Sequence, residues 1–264
     1  MLGKLMKYEW KGTWKLLLPL NCLILVMGLL TYFTVQIDFF DSESGFVVFS
    51  GMTIIVFYVL SMIAVLVGTA IFLIYRFYTT VYGDQGYLLH TLPVDKHHII
   101  IAKVLVSAMW LIISMVFIYS SLLLIGTTSV SFLELVWDVF TEVFALDDKN
   151  FVVGGLTVVM SVIAAIFGIF AKILKITACI ALGQTSANHK VLSSFAIYYG
   201  IFFVQRLFTT LYYAVISISE LTSYDYSTAL FRVNWEINLI SSIVYCVIFY
   251  VITWNMMEKK LNLE

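Results

Sequence analysis

Few residues in this 264-residue chain are equipped to do chemistry, and their spacing argues against most reactions. His97 and His98 are adjacent, so on a helix they point about 100° apart instead of converging on one ion. His90 and His189 lie in other polar intervals. There is no HExxH pattern, and no acidic pair falls inside an apolar run. Neither a metal site nor an intramembrane enzyme is therefore expected. Cys22, Cys179 and Cys246 lack CxxC spacing and sit in apolar surroundings, so they read as small buried side chains. No serine or cysteine has a nucleophile motif, and no GxxxxGKS/T pattern occurs, so the chain cannot bind ATP through a P-loop. Catalytic residues are not expected, and two oddly placed charges, Glu9 and Arg206, remain to be explained.

The elements around those charges are set by composition. Hydrophobic residues make up 62% of the chain and charged residues 12%, whereas soluble domains are about half apolar and a quarter charged. Mean hydropathy is +1.00. The reading is an all-α polytopic membrane protein with six transmembrane helices, near 16–36, 46–75, 99–126, 152–180, 191–217 and 237–257. Each exceeds the roughly 20 residues that cross about 30 Å of hydrocarbon. Alternating short strands, the mark of a membrane barrel, do not occur. The first span is long, follows four lysines and has no small-residue cleavage pattern, so a cleavable leader is not expected.

Residues 1–15 form an amphipathic interfacial helix in this reading. Lys4, Lys7, Lys11 and Lys15 share one face, with Leu2, Leu5, Met6 and Thr13 opposite, and Trp10 and Trp14 flank the lysines. Glu9 falls on the apolar side. It either pairs with a nearby lysine or faces protein, bracing this helix against the bundle or a partner. Arg206 lies about 22 Å along a helix that starts near Val191, and an arginine at such depth needs a partner or a wet environment. Asp38, Glu220 and Glu236 are available as partners. The sharper alternative is that Arg206 lines a polar substrate path. Ala64 with Gly68, and Ala164 with Gly168 and Ala171, suit close helix packing within the chain or at a dimer interface.

Basic residues orient the chain. With both termini in the cytoplasm, twelve lysines and arginines and five acidic residues fall inside, against two and eleven outside. Outside, 131–145 places Glu134, Asp138, Thr141 and Glu142 on one helical face, which predicts a short surface helix. The interval 220–238 carries Tyr224, Tyr226, Phe231 and Trp235 among polar groups and suits either a membrane-dipping segment or an interfacial loop.

The cytoplasmic interval 76–98, RFYTTVYGDQGYLLHTLPVDKHH, is the longest polar-leaning stretch of the first half. Gly83 and Asp84 offer a turn and a helix cap, 85–92 can make two helical turns, and Pro93 stops them. The short helix so predicted presents Tyr87, Leu88, His90 and Thr91. Asp95 or Lys96 begins the approach to the third span, with Lys103 as a snorkelling anchor.

With the amphipathic start KYEWKGTWK, the segment DQGYLLHTLPV followed by Lys103, the stretch IALGQTSANHKV and the six-span layout, the chain resembles the permease subunits of type-2 ATP-binding-cassette (ABC) exporters. The resemblance covers essentially the whole chain. It implies that 76–98 is a coupling loop. Gly86, Tyr87, Leu88, Thr91, Leu92 and Pro93 would then sit in a groove of a separate ATPase subunit, with His90 on the same helix and Glu9 nearby. It also implies a working unit of two permeases and two ATPases in the bacterial cytoplasmic membrane. ATP and magnesium would be held by the ATPase, and an amphipathic or hydrophobic peptide, drug or lipid exported. Nucleic acid is not an expected partner. In that family the outer loop before the last span is usually a pair of membrane-dipping helices; here that interval is short and lacks proline. The alternative is a stand-alone membrane immunity or regulatory protein that binds a peptide or lipid without ATP.

Overall fold

The computed structural model describes residues 2–36, 45–83, 86, 95–126, 151–186, 189–220 and 226–259. Among them the chain is helical, in six long elements: α1 (Leu2–Gln36), α2 (Gly45–Val81), α3 (Lys96–Gly126), α4 (Phe151–Gly183), α5 (Lys190–Glu220) and α6 (Tyr226–Lys259). All six are long and apolar enough to cross a membrane, and the chain is a multi-pass membrane protein. In hydrocarbon each backbone N–H and C=O must be paired within the segment, which favours unbroken helices over any open alternative.

The helices run beyond the apolar stretches. α1 is a single 35-residue helix that passes through Pro19, so the lysine-rich residues and the apolar run share one element. Proline at 19 can break only the bond to the carbonyl of Lys15, at the boundary between those two stretches. At the other end of the chain, residues 226–236 form the first turns of α6, so most of the interval 220–238 is helical and continuous with the last span, and not an irregular loop. The predicted surface helix at 131–145 lies outside the described residues.

The chain divides into two compact units, one of Met1–Arg76 with Ile101–Leu146 and the other of Phe77–Ile100 with Asp147–Glu264. In the first, α1 packs with α2 and α3. Leu17, Leu73, Val106 and Trp110 form one buried cluster, and Ile24, Tyr58, Val65 and Ile118 form a second. Hydroxyl groups also join α2 to α3: those of Tyr58 and Ser121 lie 2.9 Å apart, and those of Thr69 and Ser114 3.3 Å apart. Lipid tails are as apolar as leucine, so such bonds and close packing hold membrane helices together. Gly28 illustrates the packing, since a β-carbon there would come within 3.1 Å of Ser121.

In the second unit α4 packs against both α5 and α6. Its buried Ala164, Ala171 and Ala178 recur every seven residues and keep the helix surface shallow. Gly168 faces Ser242 of α6. The α4–α5 turn is tight: the hydroxyl of Ser193 donates to the Gly183 carbonyl at 2.9 Å, and a β-carbon at Gly183 would collide with Ser194.

Candidate functional site

Glu9 is the centre of a charge cluster that ties the three helices of the first unit together. Its two carboxylate oxygens are taken by different cations. Arg76 of α2 donates from Nε to Oε2 at 3.1 Å, and Lys103 of α3 donates from Nζ to Oε1 at 2.5 Å. The Lys103 side chain is only 6% exposed, against 19% for Glu9 and 24% for Arg76. Lys103 thus turns inward onto a carboxylate, where the sequence had it snorkelling. With both oxygens engaged, Glu9 is a strut and not a free general base.

Local sequence builds this arrangement. Residues 9 and 13 are one helical turn apart, on the face that α1 turns toward the bundle. Thr13 is 1% exposed and accepts a hydrogen bond from the indole N–H of Trp110 at 2.8 Å. Trp10 stacks on Trp110 with ring centroids 4.6 Å apart. Gly12 provides the remaining space: Arg76 Nη1 donates to its carbonyl at 3.1 Å, and a β-carbon at Gly12 would collide with the guanidinium.

The interval 76–98 begins at Arg76 itself. α2 ends at Val81, where the Gly83 N–H bonds to the Tyr78 carbonyl at 3.2 Å in a C-terminal turn. Gly86, whose N–H bonds to the Gly83 carbonyl at 2.7 Å, is the one described residue of the predicted coupling helix. Tyr87, Leu88, His90, Thr91, Leu92 and Pro93 lie outside the described residues. Tyr82 is buried, its hydroxyl has no partner among the described residues, and burial pushes its phenol well above the ordinary range.

On the far side of the interval, the start of α3 is fixed within the second unit. Lys96 Nζ donates to the Met257 carbonyl at 2.9 Å, placing a cation on the last turn of α6, where the helix dipole favours it. His97 lies 2.7 Å from the Tyr250 hydroxyl and stacks on Trp254 at 4.9 Å between ring centroids. His98 instead faces Asp95 at 3.6 Å, so the two histidines diverge as adjacent helical residues must.

Arg206 is exposed on α5, its guanidinium 5.3 Å from the ring centroid of Phe202. No carboxylate among the described residues pairs with it. Asp38 and the side chains of Glu220 and Glu236 lie outside what is described. Lys175 of α4, which reaches the neighbouring Gln205, was not singled out from the sequence. It is 8% exposed, its Nζ 3.1 Å from the side-chain oxygen of Gln205 and 4.6 Å from the centroid of the Tyr198 ring. Its sequence signal was a lysine eight residues inside the end of an apolar helix, facing a span that carries its own arginine. Compared with known families, curated proteins and solved structures, the chain matches none.

Proposed function

We propose that this chain is the membrane-spanning permease subunit of an ATP-driven exporter of the type-2 ABC class, working as a dimer with a separate ATPase in a bacterial cytoplasmic membrane. The observation that carries this reading is how the flanks of 76–98 are held. Arg76 is bound to Glu9 and Gly12 of α1 in one compact unit, whereas Lys96 and His97 are bound to the end of α6 in the other. A load on the interval is therefore passed to α1 at one flank and to α6 at the other. ATP-driven closure of the partner ATPases would act on Gly86 to Pro93 and favour one arrangement of the permease, a population shift powered by differential contacts. The cargo is an amphipathic or hydrophobic molecule.

Purification of the full chain in mild detergent tests the reading. An ATPase with a P-loop should accompany it, and Tyr87→Ala and Leu88→Asp should each lower chain-dependent ATP hydrolysis several-fold while leaving membrane insertion intact. Absence of any ATPase, or unchanged hydrolysis in both variants, would overturn it.

A further inference from the structure

The second unit carries a ladder of cations along the α4–α5 seam. α4 and α5 pack together and are joined by a short turn between Gly183 and Lys190. Residues equally far from that turn therefore lie at similar depth. Lys175 and Tyr198 are each eight residues from it, about 12 Å. Lys172 and Arg206 are eleven and sixteen residues away, about 16 and 24 Å. Side chains lean toward the N-terminus of their own helix, so Lys175 points away from the turn and further into the span, where it meets Gln205.

The polar groups collected there are mostly donors. An ammonium has three donors and a guanidinium five. Gln205 answers one of the donors on Lys175, and no described carboxylate answers Arg206. Lys172 lies one helical turn from Lys175, and Arg206 adjoins the glutamine that Lys175 reaches, so like charges gather here. Like charges held together in hydrocarbon are costly and mark functional positions. The shortfall is of acceptors carrying negative charge. The surrounding surface is apolar and open: Phe202, Phe203, Leu207 and Phe208 are exposed on α5, and none of that helix's most apolar stretch is buried.

We propose that Lys172, Lys175, Gln205 and Arg206 form a lateral binding site for the phosphate-class oxyanion of an acidic amphiphile, whose chains lie on the exposed aromatic face of α5. A phosphate diester supplies acceptors and no donors, which is the complement these groups lack. The site needs no energy source, so it stands or falls separately from the exporter reading.

The test uses the full chain in nanodiscs of equal parts phosphatidylglycerol and phosphatidylcholine, with retained lipid counted by native mass spectrometry. Wild type should keep phosphatidylglycerol selectively. Arg206→Gln, whose guanidinium lies over the ring of Phe202 on its own helix, should keep at least about tenfold less, on the scale of one hydrogen bond to a charged group. Lys175→Gln should do the same, and Lys11→Gln, an equal loss of charge on α1, should match wild type. Inorganic phosphate at millimolar concentration should fail to displace the lipid. Retention unchanged in Arg206→Gln, or lost equally in Lys11→Gln, overturns the site. Displacement by phosphate alone overturns the amphiphile as its source. A dimer that Arg206→Gln dissociates, without selective lipid, would assign these cations to a second copy of the chain and overturn the proposal.

Discussion

Glu9 and Lys103, 94 positions apart, meet at 2.5 Å, with the lysine side chain almost wholly enclosed. A buried lysine is tolerated because a carboxylate neutralises it, and removing that carboxylate leaves the charge stranded. Glu9→Gln should therefore lower stability by about 2–3 kcal/mol, somewhat below the 3–5 kcal/mol typical of breaking fully buried pairs, since Glu9 keeps some water. Glu9→Asp should fall between it and wild type. Thermal unfolding in detergent with a helical readout measures both.

Gly12 and Arg76 should behave as one unit. Gly12→Ala places a methyl where the guanidinium sits, so it should destabilise wild type by about 1 kcal/mol. In an Arg76→Leu background the same change should be close to neutral or stabilising, because alanine favours helix over glycine by about 1 kcal/mol. A double-mutant cycle that gives simple additivity would contradict this geometry.

Trp110→Phe removes the indole donor to Thr13 and narrows the stack on Trp10. A loss of about 1–3 kcal/mol is expected, one hydrogen bond plus part of an aromatic pair. Thr13→Val removes the acceptor at nearly constant shape and strands the indole N–H. The double variant should therefore cost less than the sum of the singles, measured by the same unfolding assay.

Tyr82→Phe should be neutral or stabilising, by up to about 1 kcal/mol, since it deletes a buried hydroxyl that has no partner among the described residues. The pH dependence has a definite sign. Burial raises the phenol in the folded chain. The phenol is harder to ionise in the folded chain, so its titration leaves stability unchanged below the unfolded value of about 10 and lowers it as pH rises past that value. The advantage of Tyr82→Phe over wild type should widen above about pH 10. A constant difference between pH 8 and pH 11 would show that Tyr82 reaches water.

The helical architecture was legible because it rests on run length and composition, which the bilayer turns into six crossings with little ambiguity. Glu9 was legible as an anomaly, a carboxylate on the apolar side of an amphipathic pattern. Its partners were not, because which of many basic residues faces it depends on the packing of three helices, and no local period encodes that. Gly12 was overlooked for a related reason. Its role is the absence of a side chain where a distant arginine arrives. Lys175 was missed because a lysine near a helix end normally bends toward the interface, and only the direction of its side chain reveals that this one points inward.

The space shared by Gly12 and Arg76 also constrains how the sequence can drift. A side chain at position 12 and a full-length arginine at position 76 compete for one volume, so neither position can enlarge alone. Substitution at 12 should be found only alongside a shorter residue at 76, and a shortened residue at 76 releases one of the two cations on Glu9. Position 9 should then lose its acid or recruit a new base. Three sites scattered across 67 positions would in this way change together, as a single inherited character.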